Sequence, residues 1–109
     1  MTPVQAIGTL PEREMNKTEM AYQAELELRR RVGEVIWYGF EVLKFRLAKD
    51  TFYTPDFIVM LADGRLEVHE VKGFWREDAR AKIKIAAALF PMKFVAVTRS
   101  GQGWSFEEF

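Results

Sequence analysis

Two carboxylates and one lysine lie at the ends of two apolar runs. Asp56 precedes a run that ends near Leu61, and Glu70 and Lys72 end the next run. Because the chain has no Cys and a single His, a metal would be bound by oxygen, which favours Mg²⁺ or Mn²⁺. Asp56, Glu70 and the Val71 carbonyl are the candidate ligands. Such an ion lowers the pKa of bound water, and Lys72 could orient that water or stabilise negative charge that develops on a phosphate. These residues could therefore hydrolyse a phosphodiester with Mg²⁺, for which Mn²⁺ could substitute.

The loop between the two runs decides whether the acids meet. Residues two apart in a strand leave the same face of a sheet, so Glu70 and Lys72 are neighbours. A two-residue turn at Asp63-Gly64 would send Asp56 to the opposite face. A three-residue loop over residues 62–64, with Gly64 left-handed, instead sets Asp56 directly across from Glu70. We predict the second register, and a cation between the two acids, because like charges at that separation destabilise a sheet.

Each of these residues also has an ordinary structural interpretation. Glu70 and Lys72 could form a surface ion pair, and Asp56 could terminate a turn after proline. Their joint placement on one hairpin favours catalysis. Glu19 opens the first helix and could reach the metal from above the sheet, but the spacing from Asn16 to Glu19 is also that of a capping box. The pattern leaves both interpretations of Glu19 open.

Several other residues have candidate roles of a weaker kind. His69 alternates to the face opposite Glu70 and Lys72, which favours a structural role. Trp75 could stack on an exposed base, although core packing is its commoner use. Three cations recur every four residues on one helical stripe and either track phosphates or form a solvated face: Arg76, Arg80 and Lys84. We take Trp75 and these three cations as the candidate nucleic-acid contacts.

The elements that must position these residues alternate between helices and strands. Apolar residues at helical spacing predict helices over residues 17–32 and 77–90. Runs rich in β-branched and aromatic residues predict strands at residues 34–47, 51–61, 65–72 and 94–98, and a short one at 104–109. We expect an α/β architecture: a mixed central sheet flanked by helices, in the order α-β-β-β-α-β with an extra C-terminal strand. Residues 1–15 are an arm whose order the pattern does not predict, and residues 16–109 are a single domain.

Composition limits the class of protein. The 109 residues fit one domain, and a hydrophobic share of 49% supports a packed core. Sixteen basic and sixteen acidic residues give no net charge, which argues against an indiscriminate nucleic-acid coat. No apolar run approaches the ~20 residues needed to span a bilayer, and the N-terminus lacks the features of a secretory signal. We expect a cytoplasmic protein without a membrane partner.

The motifs resemble those of the PD-(D/E)xK nuclease superfamily. The similarity covers residues 16–98, with Pro55-Asp56 in the place of the PD motif and Glu70-Val71-Lys72 in that of the ExK motif. Glu19 takes the place of the helical acid. Within the superfamily, residues 16–19, 53–57 and 70–75 look most similar to small phage or prophage endonucleases regarded as Holliday-junction-resolvase-like.

The resemblance implies a restriction-endonuclease-like core and Mg²⁺-dependent cleavage of DNA, with branched DNA as a candidate substrate. It also favours the catalytic interpretation of Glu19. A small chain has one site, so cutting both strands calls for a homodimer or two encounters. Two alternatives remain: a DNA-binding or recombination accessory module that keeps the fold but not catalysis, and a protein-interaction domain, which the zero net charge favours.

Overall fold

The computed structural model describes residues 6–11, 13–73 and 77–109. Within these residues the chain is a mixed α/β protein with two helices and two sheets. The bounds of the elements are β1 Ala6–Gly8, α1 Lys17–Arg31, β2 Val35–Phe40, β3 Leu43–Ala48, β4 Thr51–Tyr53, β5 Phe57–Leu61, β6 Leu66–Lys72, α2 Glu77–Leu89, β7 Lys93–Ser100 and β8 Gly103–Glu108.

The larger sheet has five strands in the order β2-β5-β6-β7-β8. β6 and β7 are parallel and connected through α2, whereas the other neighbours are antiparallel, so the predicted mixed sheet is confirmed. Helix α1 covers one face through the fully buried Tyr22 and Leu26, which pack on Phe57, Val59 and Val97. Burial of these side chains is the main force that holds α1 on the sheet.

The smaller sheet has the order β1-β3-β4. Its inner side chains, Phe45 and Tyr53, meet Ile83 of α2 and Ile58 of the larger sheet in a second core. Part of the segment predicted as an N-terminal arm thus adds a strand, because β1 pairs with β3. Helix α2 lies between the two sheets and completes this core.

The predicted strands over residues 34–47 and 51–61 are wrong in one respect, because each is two strands that belong to different sheets. The first breaks at Glu41, whose φ of 51° is left-handed and turns the chain out of the larger sheet. The second breaks at Thr54 and Pro55, because proline cannot donate to a sheet and restricts the residue before it. After β2 the chain therefore crosses between the sheets twice, and Asp56 stands at the second of these crossings.

Candidate active site

The hairpin of β5 and β6 brings Asp56 and Glu70 together. Its strands pair in a register that includes Phe57 with His69, and the Leu61 N–H donates to the Arg65 carbonyl across the loop at 2.8 Å. Gly64 has a φ of 87°, as the three-residue loop requires. One further step along this register sets Asp56 opposite Glu70, so the predicted register is confirmed.

Hydrogen bonds from the backbone hold the two acids side by side. The Val71 N–H donates to Oδ2 of Asp56 at 2.8 Å, and the Asp56 N–H donates to Oε1 of Glu70 at 3.3 Å. Asp56 is 3% exposed and Glu70 is 6% exposed. Two carboxyl groups are therefore fixed next to each other in a largely dry position.

Glu70 has two further partners of different character. The Tyr53 hydroxyl donates to Oε1 at 2.7 Å, and Nζ of Lys72 lies 3.2 Å from Oε2. Tyr53 is buried at the end of β4, whereas the Lys72 side chain is 35% exposed. Tyr53 thus fixes the orientation of the carboxylate, and Lys72 presents its ammonium group at the mouth of the site.

Glu19 forms the capping box and also lies close to an acid of the hairpin. The capping box is formed, since the Glu19 N–H donates to Asn16 Oδ1 at 2.8 Å and the Asn16 N–H donates to Glu19 Oε1 at 2.9 Å. The carboxylate is also 3% exposed and shares an arginine partner with Asp56. Capping therefore positions Glu19 beside the acids of the hairpin.

That shared partner, Arg13, is a site residue that the sequence did not predict. Its guanidinium forms a fork with Glu19 at 2.7 Å for both contacts, and Nη2 lies 3.0 Å from Glu41 and 3.4 Å from Asp56. The residue falls in the segment treated as an arm. Only charge balance could have pointed to it, because buried acids need a cation nearby.

The pKa values follow from burial and from these partners. Burial, to which the charges of Glu70 and Glu19 add, raises the pKa of Asp56 well above its ordinary value. Burial also raises the pKa of Glu70, although Lys72 and Tyr53 oppose the shift. For Glu19 burial acts in the same upward direction, but the bonds from Arg13 and Asn16 outweigh it and lower the pKa. The site is thus short of positive charge.

The residues present fit a small divalent ion of the hard class. In the described part of the chain, no three His, Asp or Glu side chains are arranged to hold a metal together. Mg²⁺, however, is commonly bound through one or two carboxylates and keeps several waters. Asp56, Glu70 and the Val71 carbonyl offer such an oxygen donor set, and the excess of buried negative charge favours a cation there.

Two cavities open beside the acids and share Thr54 in their walls. One of about 350 Å³ is lined by Arg13, Glu41 and Lys44. The other, of about 270 Å³, is lined by Glu70, Lys72 and Lys82. Glu70 is therefore reachable from solvent through the second cavity, whereas the first cavity reaches Arg13, the partner of Asp56.

Two of the four candidate nucleic-acid contacts, Arg80 and Lys84, lie in the described residues, and both are on α2. Trp75 and Arg76 lie outside the described residues. Arg80 pairs with Glu107 of β8 at 2.8 and 3.1 Å. Residues two apart on a helix point to nearly opposite sides, so Lys82, rather than Arg80 or the exposed Lys84, lines the cavity that contains Glu70.

His69 lies on the opposite face from the acids, as predicted. The Tyr22 hydroxyl and Nδ1 of His69 are 2.7 Å apart, and Nε2 lies 2.9 Å from Oε1 of Glu67. His69 is 2% exposed. Its two ring nitrogens are thus satisfied between α1 and β6, away from the site.

Replacing Arg13 with Gln should lower the free energy of unfolding of the metal-free protein by about 1–2 kcal/mol, because three acids lose a shared but half-exposed cation. The check is chemical denaturation in EDTA. Arg65→Gln is the matched control, since Arg65 also meets a carboxylate, that of Asp63, at 2.7 Å but on an exposed turn. The loss of unfolding free energy in this variant should be much smaller than that in Arg13→Gln, because solvent screens the exposed pair. Equal losses in the two variants would show that Arg13 is an ordinary surface cation.

Two further observations bear on the class of protein. Neither helix in the described residues has the length and apolar character to cross a bilayer. No family model, curated protein or solved structure matches the chain. What the protein does must therefore be inferred from the geometry of Asp56, Glu70 and Lys72.

Proposed function

We propose that the protein is a metal-dependent endonuclease of the PD-(D/E)xK type that hydrolyses DNA phosphodiester bonds. The observation that carries the proposal is the buried pair of Asp56 and Glu70, side by side on one hairpin, with Lys72 bound to Glu70 at the open edge. A helix before the hairpin and a parallel strand reached through a second helix support a restriction-endonuclease-like core.

Asp56, Glu70 and the Val71 carbonyl would hold Mg²⁺, for which Mn²⁺ could substitute. A bound divalent ion supplies Lewis-acid polarisation of the phosphate and a more acidic water. Tyr53 keeps Glu70 in place through its 2.7 Å hydrogen bond, so the position of the carboxylate does not depend on the ion. Lys72 can donate a hydrogen bond to the attacking water or to the phosphate oxygens as their charge grows.

Glu19 and Arg13 add an acid and a cation beside Asp56. Because Arg13 bridges Glu19 and Asp56, it neutralises acids that lie next to each other when no divalent ion is bound. Glu19 is held by the capping box and could orient a water beside Asp56. For Glu19 to act in catalysis, the Arg13 guanidinium would have to move away from Asp56 so that a water could take its place.

Branched DNA is the proposed substrate because residues 16–19, 53–57 and 70–75 resemble those of small Holliday-junction-resolvase-like endonucleases. A homodimer is the proposed assembly, since a single chain carries one site and a junction requires two cuts. Light scattering with and without DNA that gives only a monomer mass would remove the dimer from the proposal.

The test is a cleavage assay with single-stranded, duplex, flap and four-way junction DNA of matched sequence. Cleavage is expected with Mg²⁺ or Mn²⁺, none in EDTA, and a preference for the branched forms. The wild type and Asp56→Asn are purified in parallel by the same steps. A contaminating nuclease would cut DNA in both preparations, so cleavage by the wild type alone excludes it. If the folded protein cuts none of these DNAs with either ion, the proposed activity is wrong.

One observation favours a DNA-binding accessory module without catalysis. Arg13 already places a guanidinium 3.4 Å from Asp56, where a cation is needed. A module of this kind would bind branched DNA in EDTA as tightly as in Mg²⁺ and would never cut it. The same assay, with a binding measurement added, separates the two functions.

A further inference from the structure

The outer face of the three-stranded sheet is basic and carries an aromatic ring. Pairing of Ile7 with Lys44 and of Arg46 with Phe52 puts these four side chains on one face, because directly paired residues share a face. The alternate residues, Phe45 and Tyr53, point inward to the second core. We call the face of Ile7, Lys44, Arg46 and Phe52 the outer face.

The outer face has an excess of positive charge in a chain whose net charge is zero. None of the three strands contains an acid. Among the described residues, no carboxylate lies within ion-pair distance of Lys44, Arg46 or the nearby Lys82, although most arginines elsewhere are paired. The acid that follows β2, Glu41, is held by Arg13. A second acid, Asp78, lines the same cavity as Lys82, but the strands of the face carry none. Cations without an acid on their own face attract a polyanion.

Phe52 lies between two of these cations, Lys44 and Lys82. Nζ of Lys44 is 4.6 Å from the centre of its ring, and Nζ of Lys82 donates to its carbonyl at 3.3 Å. The ring is half-buried, so its position is fixed while part of it remains accessible. A fixed aromatic ring beside cations is the arrangement on which unpaired bases stack.

The outer face continues into the candidate active site. Lys44 lines the cavity that contains Arg13, and Lys82 and Phe52 line the cavity that contains Glu70. Thr54, two residues after Phe52, lines both cavities. A strand bound on the outer face would therefore lead directly to the acids.

We propose that the outer face binds a single-stranded segment of the DNA substrate, with a base stacked on Phe52 and phosphates on Lys44, Arg46 and Lys82. The inference rests on the proposed function and specifies its substrate. Stacking requires a base that is not held in a duplex, so unpaired segments next to the cut are favoured. The two cavities then receive the strand on either side of Thr54.

The test measures fluorescence anisotropy of a labelled 20-nucleotide oligothymidine, and of a duplex of equal length, in EDTA. Phe52→Ala should weaken binding of the oligothymidine about 5- to 150-fold and leave duplex binding nearly unchanged. Phe52→Tyr should restore it. Lys44→Gln/Arg46→Gln should weaken binding at least about tenfold at low salt and reduce the salt slope by about 1.4, the value for two lost phosphate contacts.

The charge-matched control is Arg31→Gln/Arg99→Gln, which removes two exposed cations outside the outer face and should bind as the wild type does. Thermal melting of every variant excludes misfolding as the cause of a loss. If wild-type protein binds the oligothymidine and the outer-face variants bind it equally well, the inference is overturned, whether or not the protein cuts DNA. If the variants lose binding but the wild type never cuts, the inference stands and the proposed activity fails.

Discussion

Asp56→Asn is expected to abolish cleavage and, in the absence of metal, to stabilise the folded protein. Asp56 is 3% exposed and lies beside Glu70 and Glu19, and burial with these charges raises its pKa. A carboxyl whose pKa is higher in the folded chain than in the unfolded chain destabilises the fold as pH rises from its ordinary pKa towards the raised one. Asn removes that cost and can still accept the Val71 N–H bond.

The gain should appear as a rise in Tm of at least about 4 °C in EDTA at pH 7, which is about 1 kcal/mol for a domain of this size. The rise should shrink as pH is lowered towards the ordinary pKa of Asp, because the wild-type carboxyl is then neutral in both states. The chain has three Trp residues, so intrinsic fluorescence can follow melting. A divalent ion at ten times its Kd should stabilise the wild type by about 1.4 kcal/mol and leave Asp56→Asn unchanged.

Asp63→Asn is the matched control on the same hairpin. Asp63 is exposed in the loop, and the N–H and guanidinium of Arg65 lower the pKa of its carboxyl. Its replacement should therefore leave cleavage intact and lower Tm slightly, the opposite sign to Asp56→Asn. A fall in the Tm of metal-free Asp56→Asn, or cleavage by it at the wild-type rate, would show that Asp56 is an ordinary hydrogen-bonded acid.

The hairpin could be predicted from the sequence because its determinants are local. Gly64 takes the positive φ of the three-residue loop, whereas Asp63 lacks the positive φ that a two-residue type I′ turn would also require, and this loop length sets the register. Register then places Asp56 opposite Glu70 without any knowledge of the rest of the fold. The same holds for α1, which begins after its N-cap Asn16 and ends before the C-cap Val32 and the left-handed Gly33.

The two crossings between sheets could not be predicted from apolar periodicity. Strands of both sheets are buried on their inner sides, so residues 34–47 form one run rich in apolar and aromatic residues although two strands occupy it. Pro55 marks the second break locally, although the predicted strand over residues 51–61 ran through it. The unusual backbone at Glu41 depends on tertiary contacts such as the bond from its N–H to the Asp56 carbonyl. Partition of strands between sheets is a long-range property.

The positions of the basic residues around the site could not be predicted from local sequence patterns either. Arg13 reaches Asp56 across 43 positions of sequence, and no local pattern reports such a contact. On α2, spacing alone identified the stripe of Arg80 and Lys84, but packing turns Lys82 towards the acids and Arg80 towards Glu107. The sequence thus predicts which acids meet, whereas the fold decides which cations face them.

Lys72→Met is expected to reduce cleavage by about 10²–10³-fold while metal binding is retained. The ammonium group lies at the open edge of the site, 3.2 Å from Glu70 and 35% exposed, so it can reach a substrate phosphate that the buried acids cannot. Met keeps the length of the aliphatic stem and removes only the charge and the donors. The two carboxylates and the Val71 carbonyl remain as ligands.

Loss of cleavage without loss of metal-induced stabilisation is therefore the signature of Lys72, whereas Asp56→Asn should lose both. The metal-free Lys72→Met protein should also be less stable than the wild type, because Glu70 loses its cation, so the two variants move Tm in opposite directions. Lys93→Met is the control: Lys93 also pairs with acids, Glu67 and Glu108, but at the opposite end of the parallel strands β6 and β7, and its loss should not affect cleavage. If Lys72→Met cut DNA as the wild type does, the ion pair of Lys72 with Glu70 would be structural only. The charge that develops on the phosphate would then need another donor, and Lys82, on the wall of the same cavity, is the candidate.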